Sequence, residues 1–223
     1  KTPFIIFWPT AIGENGANCS SLISAIDIAP TILKLAGLQI PEQFQGISFD
    51  ELIKDPAKEH RSYVFAEHNW HDYEAHERML RTKNFMYILN SRPNLPASGP
   101  ADAVQSPSYA DLVKLKTEGQ LSVIQADVFI TPRPHEEFYN CSTDPLQLLN
   151  IAAVPEYLPE LEKHQDILML WMKETGDDFP VDLTKGWYEY LPGYIKAPEF
   201  GIRGEMPGSK SDAIKINTKS FNK

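Results

Sequence analysis

The sequence predicts two pieces of different class in tandem. The first is the tail of an α/β domain. The second is an α+β unit, a small antiparallel sheet packed against a long C-terminal helix. Three observations carry this. The opening run PFIIFWP, residues 3–9, is apolar without alternation, the pattern of a strand buried on both faces in a parallel sheet. The middle of the chain holds the β-rich runs SYVFAEH, RMLRTKNFMYILN and EEFYN. Near the end, Leu158, Leu161, Leu168 and Met172 recur at helical spacing in PEYLPELEKHQDILMLWMKETGD.

Each element follows from local chemistry. Residues 22–26 read as a second short buried strand. Asp27 then stands where an N-cap carboxylate accepts from the free N–H groups of a helix's first turn. Pro30 falls inside that turn, where its missing N–H is no loss. Ile28, Ile32, Leu33 and Leu35 give the helix an apolar side, and Gly37 ends it. A doubly buried strand at the start of the chain has no β-α-β unit before it. A terminal strand inserted into a later sheet is one explanation. The better one is that residues 1–45 are the last strands and helix of a larger α/β domain, with the α+β subdomain at 46–178.

Within that subdomain, residues 62–68 read as a strand. Thr82, Lys83 and Asn84 turn a hairpin whose return strand spans 85–89. Residues 136–140 make a further strand, and Asp144-Pro145 pivots the turn after it. Gly176 stops the long helix. Between 91 and 134 runs an excursion that opens with SRPNLPASGP and carries a helix capped by Ser106, with Pro107 at its first position. Loops of such length inside a compact domain tend to be functional. The tail, 179–223, holds prolines, glycines and aromatics and reads as extended and strapped to a surface.

The chain has 223 residues and a net charge of −9, which disfavours a nucleic-acid partner, since that needs a basic surface. A few local Arg and His residues can still hold a small anion. No apolar run is long enough to span a membrane, so no membrane partner is expected, and no signal peptide is recognised. Cys19 and Cys141 form no C-x-x-C pair, and spacing alone does not decide whether they bridge.

The densest chemistry lies in EHNWHDYEAHER, residues 67–78. His68, His71 and His76 have H-x2-H-x4-H spacing. Zinc sites do use paired histidines, but His68 closes a strand and no cysteine helps. A solvated loop over packed Trp70 and Tyr73 is the plain alternative. The third reading is a ligand segment.

Taken in order, KTPFIIFWP, SAIDIAPTILKLAGL, FQGISF, EEFYNCSTDPLQLLNIA and the terminal amphipathic helix resemble the C-terminal third of a sulfatase of the alkaline-phosphatase-like superfamily. The resemblance covers residues 1–176. The histidine-rich segment, SPSYADLVKLKTEGQ and RPHEEFYN add a likeness to sulfamidases, the N-sulfoglucosamine sulfohydrolases, and to bacterial sulfatases of sulfated glycans. The resemblance implies hydrolysis of N- or O-linked sulfate from amino sugars of heparin-like glycans, in a periplasmic, secreted or lysosomal setting. It also implies a formylglycine nucleophile from a C/S-x-P-x-R motif and a calcium ion held by Asp and Asn residues. Neither cysteine stands in such a motif, and no paired-Asp strand end occurs. Nucleophile, metal ligands and general acid are therefore expected upstream of Lys1, with no cofactor held by this chain.

The expected partners are that upstream catalytic part and a sulfated glycan, with a homo-oligomer left open. A non-catalytic glycan-binding or structural module that kept the fold is the alternative. In such sulfatases the C-terminal subdomain lends residues to the pocket rim. The resemblance thus points to His71 first, then His68, Glu74, His76 and Arg78, as donors and acceptors for a sulfated sugar. Arg81 could face the pocket or pair with a carboxylate. Arg133, His135 and His164 read as loop or surface residues, and Trp171 as core.

Overall fold

A computed structural model describes residues 2–12, 16–70, 74–94 and 99–177. These fall in two compact units that part between Val64 and Phe65.

In the first unit, the opening run is not a strand. Residues 2–8 take no regular structure and lead into a helical turn, α1 (Pro9–Ile12). Exposure alternates along the run, with Ile5 at 88% and Phe7 at 87% against Ile6 at 39% and Trp8 at 38%. The zigzag is that of an extended chain, but a strand needs a neighbour for its N–H and C=O groups, and none among the described residues supplies one. Among the described residues Phe4 of this run finds an aromatic partner, edge-on to Phe49 at 5.9 Å. The second expected strand reduces to one bridge, Leu22 to Arg61, followed by a 3-10 turn (Ala25–Asp27).

Helix α2 (Ile28–Leu35) forms as its sequence dictates. Gly37, at φ +72°, takes the left-handed position after it, and the Leu38 N–H returns to the Leu33 carbonyl at 2.9 Å. The predicted apolar side is only partly covered, since Ile32 is 60% exposed. Asp27 corrects the sequence reading. Its carboxylate makes no cap bond to α2. It is wholly buried instead. It accepts from Arg61 Nε and Nη2 at 2.7 and 2.5 Å, from the Ile47 N–H at 2.8 Å and from the Ser24 N–H at 2.9 Å. Burial alone would raise its pKa, but these donors together hold it below the ordinary value.

Thr31 links the same helix to Phe49, whose N–H it accepts at 3.0 Å, just before the short helix α3 (Asp50–Lys54). Residue 45, where the sequence suggests a boundary, therefore lies inside this unit. Gly46 passes so close to the Ile26 carbonyl that a Cβ would sit 1.9 Å from its oxygen. Gly46→Ala must move backbone against backbone. It is expected to cost at least the ~1–3 kcal/mol of core overpacking, read as a fall in the urea midpoint.

The second unit is the predicted α+β fold. A four-stranded sheet runs β1 (Tyr63–Trp70), β2 (Glu74–Thr82), β3 (Phe85–Asn90) and β4 (Glu136–Asn140) in spatial order 1-2-3-4. β2, β3 and β4 pair antiparallel. The hairpin turns at Lys83-Asn84, pinned by the Phe85 N–H on Thr82 Oγ1 at 3.1 Å. Leu80 pairs with Tyr87 and Tyr87 with Phe138. All three are buried. They make a row across three strands under the long helix.

Inside the excursion lie α4 (Ala101–Val104), α5 (Pro107–Thr117) and α6 (Val123–Ala126). Ser106 caps α5 through the Tyr109 N–H at 3.2 Å, as predicted. The long helix, α7 (Leu158–Thr175), buries Leu161 and Leu168 and ends at Gly176 with φ +66°. His164, read as a surface residue, is buried on its inner side. Its ring lies 5.1 Å from Phe138, Nδ1 bonds the Glu160 carbonyl at 2.7 Å and Nε2 lies 3.1 Å from Thr82 Oγ1. Burial pushes its pKa down, as expected for an imidazole kept neutral. Trp171 stacks on Phe65 at 4.8 Å, in keeping with a packing role. No helix among the described residues is long and apolar enough to cross a membrane. The expected strap, 179–223, lies outside the described residues.

Candidate functional site

Strand parity distributes the histidine-rich segment over two faces. Successive side chains of a strand point to opposite sides. On β2, His76, Arg78 and Leu80 share one side, and all three are buried. This is the side that carries the Leu80–Tyr87–Phe138 row. Arg78 is fully buried. Its Nη2 donates to Asp177 Oδ1 at 2.7 Å and its Nε to Asp177 Oδ2, while Nη1 donates to the Glu77 carbonyl at 2.8 Å. Asp177 follows Gly176, so the Arg78 ion pair fastens the end of α7 to the middle of β2. The His76 Nε2 lies 3.2 Å from Arg78 Nη2.

Glu77 points to the other side and meets His68 from β1, Oε2 to Nδ1 at 2.9 Å. The pair is open to solvent, with side-chain exposures of 48% for His68 and 33% for Glu77. The Glu77 carboxylate raises the His68 pKa, and the imidazole lowers that of Glu77. A polar cluster continues along this face. Asn90 and Arg133 both donate to Glu137 Oε1, at 2.7 and 3.0 Å, and the Tyr139 hydroxyl donates to Oε2 at 2.6 Å. Arg133 in turn lowers the Glu77 pKa.

The same residues close the base of the excursion. The Asn90 N–H bonds the His135 carbonyl at 2.8 Å, and the Arg133 N–H bonds the Pro93 carbonyl at 2.8 Å. Arg133, read as a loop charge, is thus a half-buried strut. Arg81 pairs with neither pocket nor carboxylate among its described bonds, and its Nη2 reaches only the Lys83 carbonyl at 3.4 Å.

Of the five residues singled out from the sequence, His68 stands on the open face, while His76 and Arg78 are buried on the helix side. His71 lies outside the described residues, as does the side chain of Glu74. Sequence reasoning missed Glu77, Asn90 and Glu137. The signal was present, because Glu77 alternates with His76 and Arg78, which share the parity of Leu80. The open pair gives a direct test. His68 titrates above its usual ~6.5. In Glu77→Gln its pKa falls back, as read by NMR of the ring protons. The sign follows from linkage. Stability from this pair is present below the unfolded His value and is lost as pH rises through the folded one.

Among the described residues, no group of three or more His, Cys, Asp or Glu comes together in a way that could hold a metal ion. Both cysteines are free. Among the described residues no calcium site is assembled, and neither cysteine stands in a C/S-x-P-x-R motif.

The arrangement is that of a sheet-and-helix unit with a polar, partly open outer face. Residues 1–90 match the family described as N-sulphoglucosamine sulphohydrolase, C-terminal, and over that stretch the chain is like a sulfatase C-terminal domain. An "Ulvan-active sulfatase" from Formosa agariphila is 36% identical over 180 residues, 80% of this chain and 30% of the relative. The human "N-sulphoglucosamine sulphohydrolase" is 25% identical over 185 residues, 78% of this chain and 37% of the relative. A solved structure described as BT4656 with its substrate D-glucosamine-2-N,6-O-disulfate is 22% identical, with a TM-score of 0.46 over 74% of this chain and 27% of that one. The chain spans about a third of the length of the curated relatives it matches.

Proposed function

We propose that this chain works as the C-terminal region of a sulfatase that removes N- or O-linked sulfate from amino sugars of heparin-like glycans. The nucleophile and the metal ligands come from polypeptide preceding Lys1. The observation that carries the reading is the family match over residues 1–90, joined to 36% identity with a sulfatase over 180 residues. The open apolar run at residues 4–8 is consistent with it, because Ile5 and Phe7 have no cover among the described residues. On this reading the rim residues are His68, steadied by Glu77, together with His71 and Glu74. His76 and Arg78, buried on the helix side of β2, back that strand from the other face.

A second substrate, a sulfated glycan of the ulvan type, is favoured by the name of that 36%-identical relative. Two measurements test the proposal. The DNA before the codon for Lys1 should continue the reading frame and encode C/S-x-P-x-R; a stop codon directly before it overturns the reading. The polypeptide so defined should release sulfate from N-sulfoglucosamine oligosaccharides faster than from ulvan fragments, with His71→Ala lowering kcat/KM without lowering Tm. The reverse preference selects the second substrate.

A further inference from the structure

The turn between β4 and α7 combines two properties that rarely coincide. It is tightly constructed, and it presents leucines to solvent. The Asp144 N–H bonds the Asn140 carbonyl at 2.8 Å, and the Asp144 carboxylate accepts the N–H groups of Leu148 and Leu149 at 2.7 and 2.9 Å. Asn150 closes the turn onto the edge of β4 that faces away from β3. Its Oδ1 accepts the Phe138 N–H at 2.9 Å and its Nδ2 donates to the Glu136 carbonyl at 3.1 Å. The buried Ile151 then bonds the Phe138 carbonyl at 2.8 Å. Gln147 sits at φ +57°, a left-handed conformation that a non-glycine residue adopts at a cost. Yet Leu146 is 75% exposed, Leu148 52% and Leu149 66%.

Three leucines within four residues, fixed by side-chain caps rather than by packing, have the form of an interface anchor. Its backbone is already ordered, so docking orders only the leucine side chains. Isolated exposed apolar residues are ordinary, but a clustered and ordered set marks a contact surface. What covers it is indicated by length. The curated relatives carry about two thirds of their chain beyond the stretch that this one spans.

We propose that Leu146, Leu148 and Leu149 form the knob by which this unit docks onto the preceding portion of a sulfatase polypeptide. The inference rests on the functional reading above and names the partner of that reading. The test uses an intact enzyme, made by exchanging this chain for the aligned 180-residue stretch of the Formosa agariphila ulvan-active sulfatase. That chimera is compared with one carrying Leu146→Ser, Leu148→Ser and Leu149→Ser. The same triple variant is made in the 223-residue chain.

The expected result is an active chimera whose activity and Tm both drop in the triple variant, while the Tm of the 223-residue chain is unchanged. Equal activity and Tm in the two chimeras overturn the docking role and leave the functional reading standing. An insoluble or inactive parent chimera overturns the functional reading itself. A lower Tm for the triple variant in the 223-residue chain means that this chain covers its own leucines. A dimer of that chain that dissociates in the triple variant makes a second copy the occupant. Either of these last two outcomes also overturns the proposal.

Discussion

Replacing Asp27 with alanine is expected to cost the first unit about 3–5 kcal/mol, the range for removing one partner of a buried ion pair. Asp27 is the acceptor on which Arg61, Ser24 and Ile47 converge. Without it the Arg61 guanidinium stays charged, since arginine does not deprotonate in proteins, and loses its carboxylate in a setting where only 5% of its side chain meets solvent. Two backbone N–H groups lose their acceptor as well. Urea unfolding, with hydrogen exchange at the Ile47 amide, measures the loss. A change under 1 kcal/mol would rule out the anchoring role.

The pH dependence has a definite sign. Because the folded pKa of Asp27 lies below the unfolded value, its contribution is present above about pH 4 and is lost as pH falls through the folded pKa. The alanine variant should lack that acid-side slope. His60 lies 3.6 Å from the same carboxylate, and burial lowers its pKa, so it is largely neutral at pH 7 and lends Asp27 no full charge.

Asp177→Ala is the second large effect, again about 3–5 kcal/mol, for the same reason in the other unit. It leaves the fully buried Arg78 with the more exposed Glu67 carboxylate 4.0 Å away in place of a direct ion pair, and unfastens the end of α7 from β2. Arg78→Met combined with Asp177→Ala removes both charges and keeps the aliphatic stem, so it should cost less than Asp177→Ala alone, whereas Arg78→Met by itself leaves the Asp177 carboxylate, 6% exposed, without its partner. The order of the double variant and Asp177→Ala in thermal unfolding is the measurement. If Arg78→Met alone impaired glycan binding while both Tm values held, Arg78 would be a ligand and not a fastener.

These two pairs show where sequence reading reaches its limit. Asp27 at the head of α2 and Arg78 in a string of polar residues look like a cap and a rim ligand, because sequence sees only near neighbours. Their partners lie 34 and 99 residues away. His164 misled for a related reason. A helix period places it beside Leu161 and Leu168, but its polarity suggests water. A hydrogen bond at each ring nitrogen is what permits its burial.

The antiparallel sheet, the hairpin at Lys83-Asn84, the capped helix α5 and the stop at Gly176 were all legible from local chemistry. Turn propensity, a serine cap and a left-handed glycine act within a few residues. The apolar opening run was legible in character but not in form, because a strand is defined by its neighbour, and no described residue pairs with this one. The sequence by itself thus determined the hairpin, the antiparallel sheet, the capped helix α5 and the long helix, and the likeness to sulfatases. Tertiary structure alone decided which charges are buried, which side of β2 faces α7, and that His68 meets Glu77 on the open side. Pairing across strands and burial under a helix depend on contacts between distant residues, which no local pattern encodes.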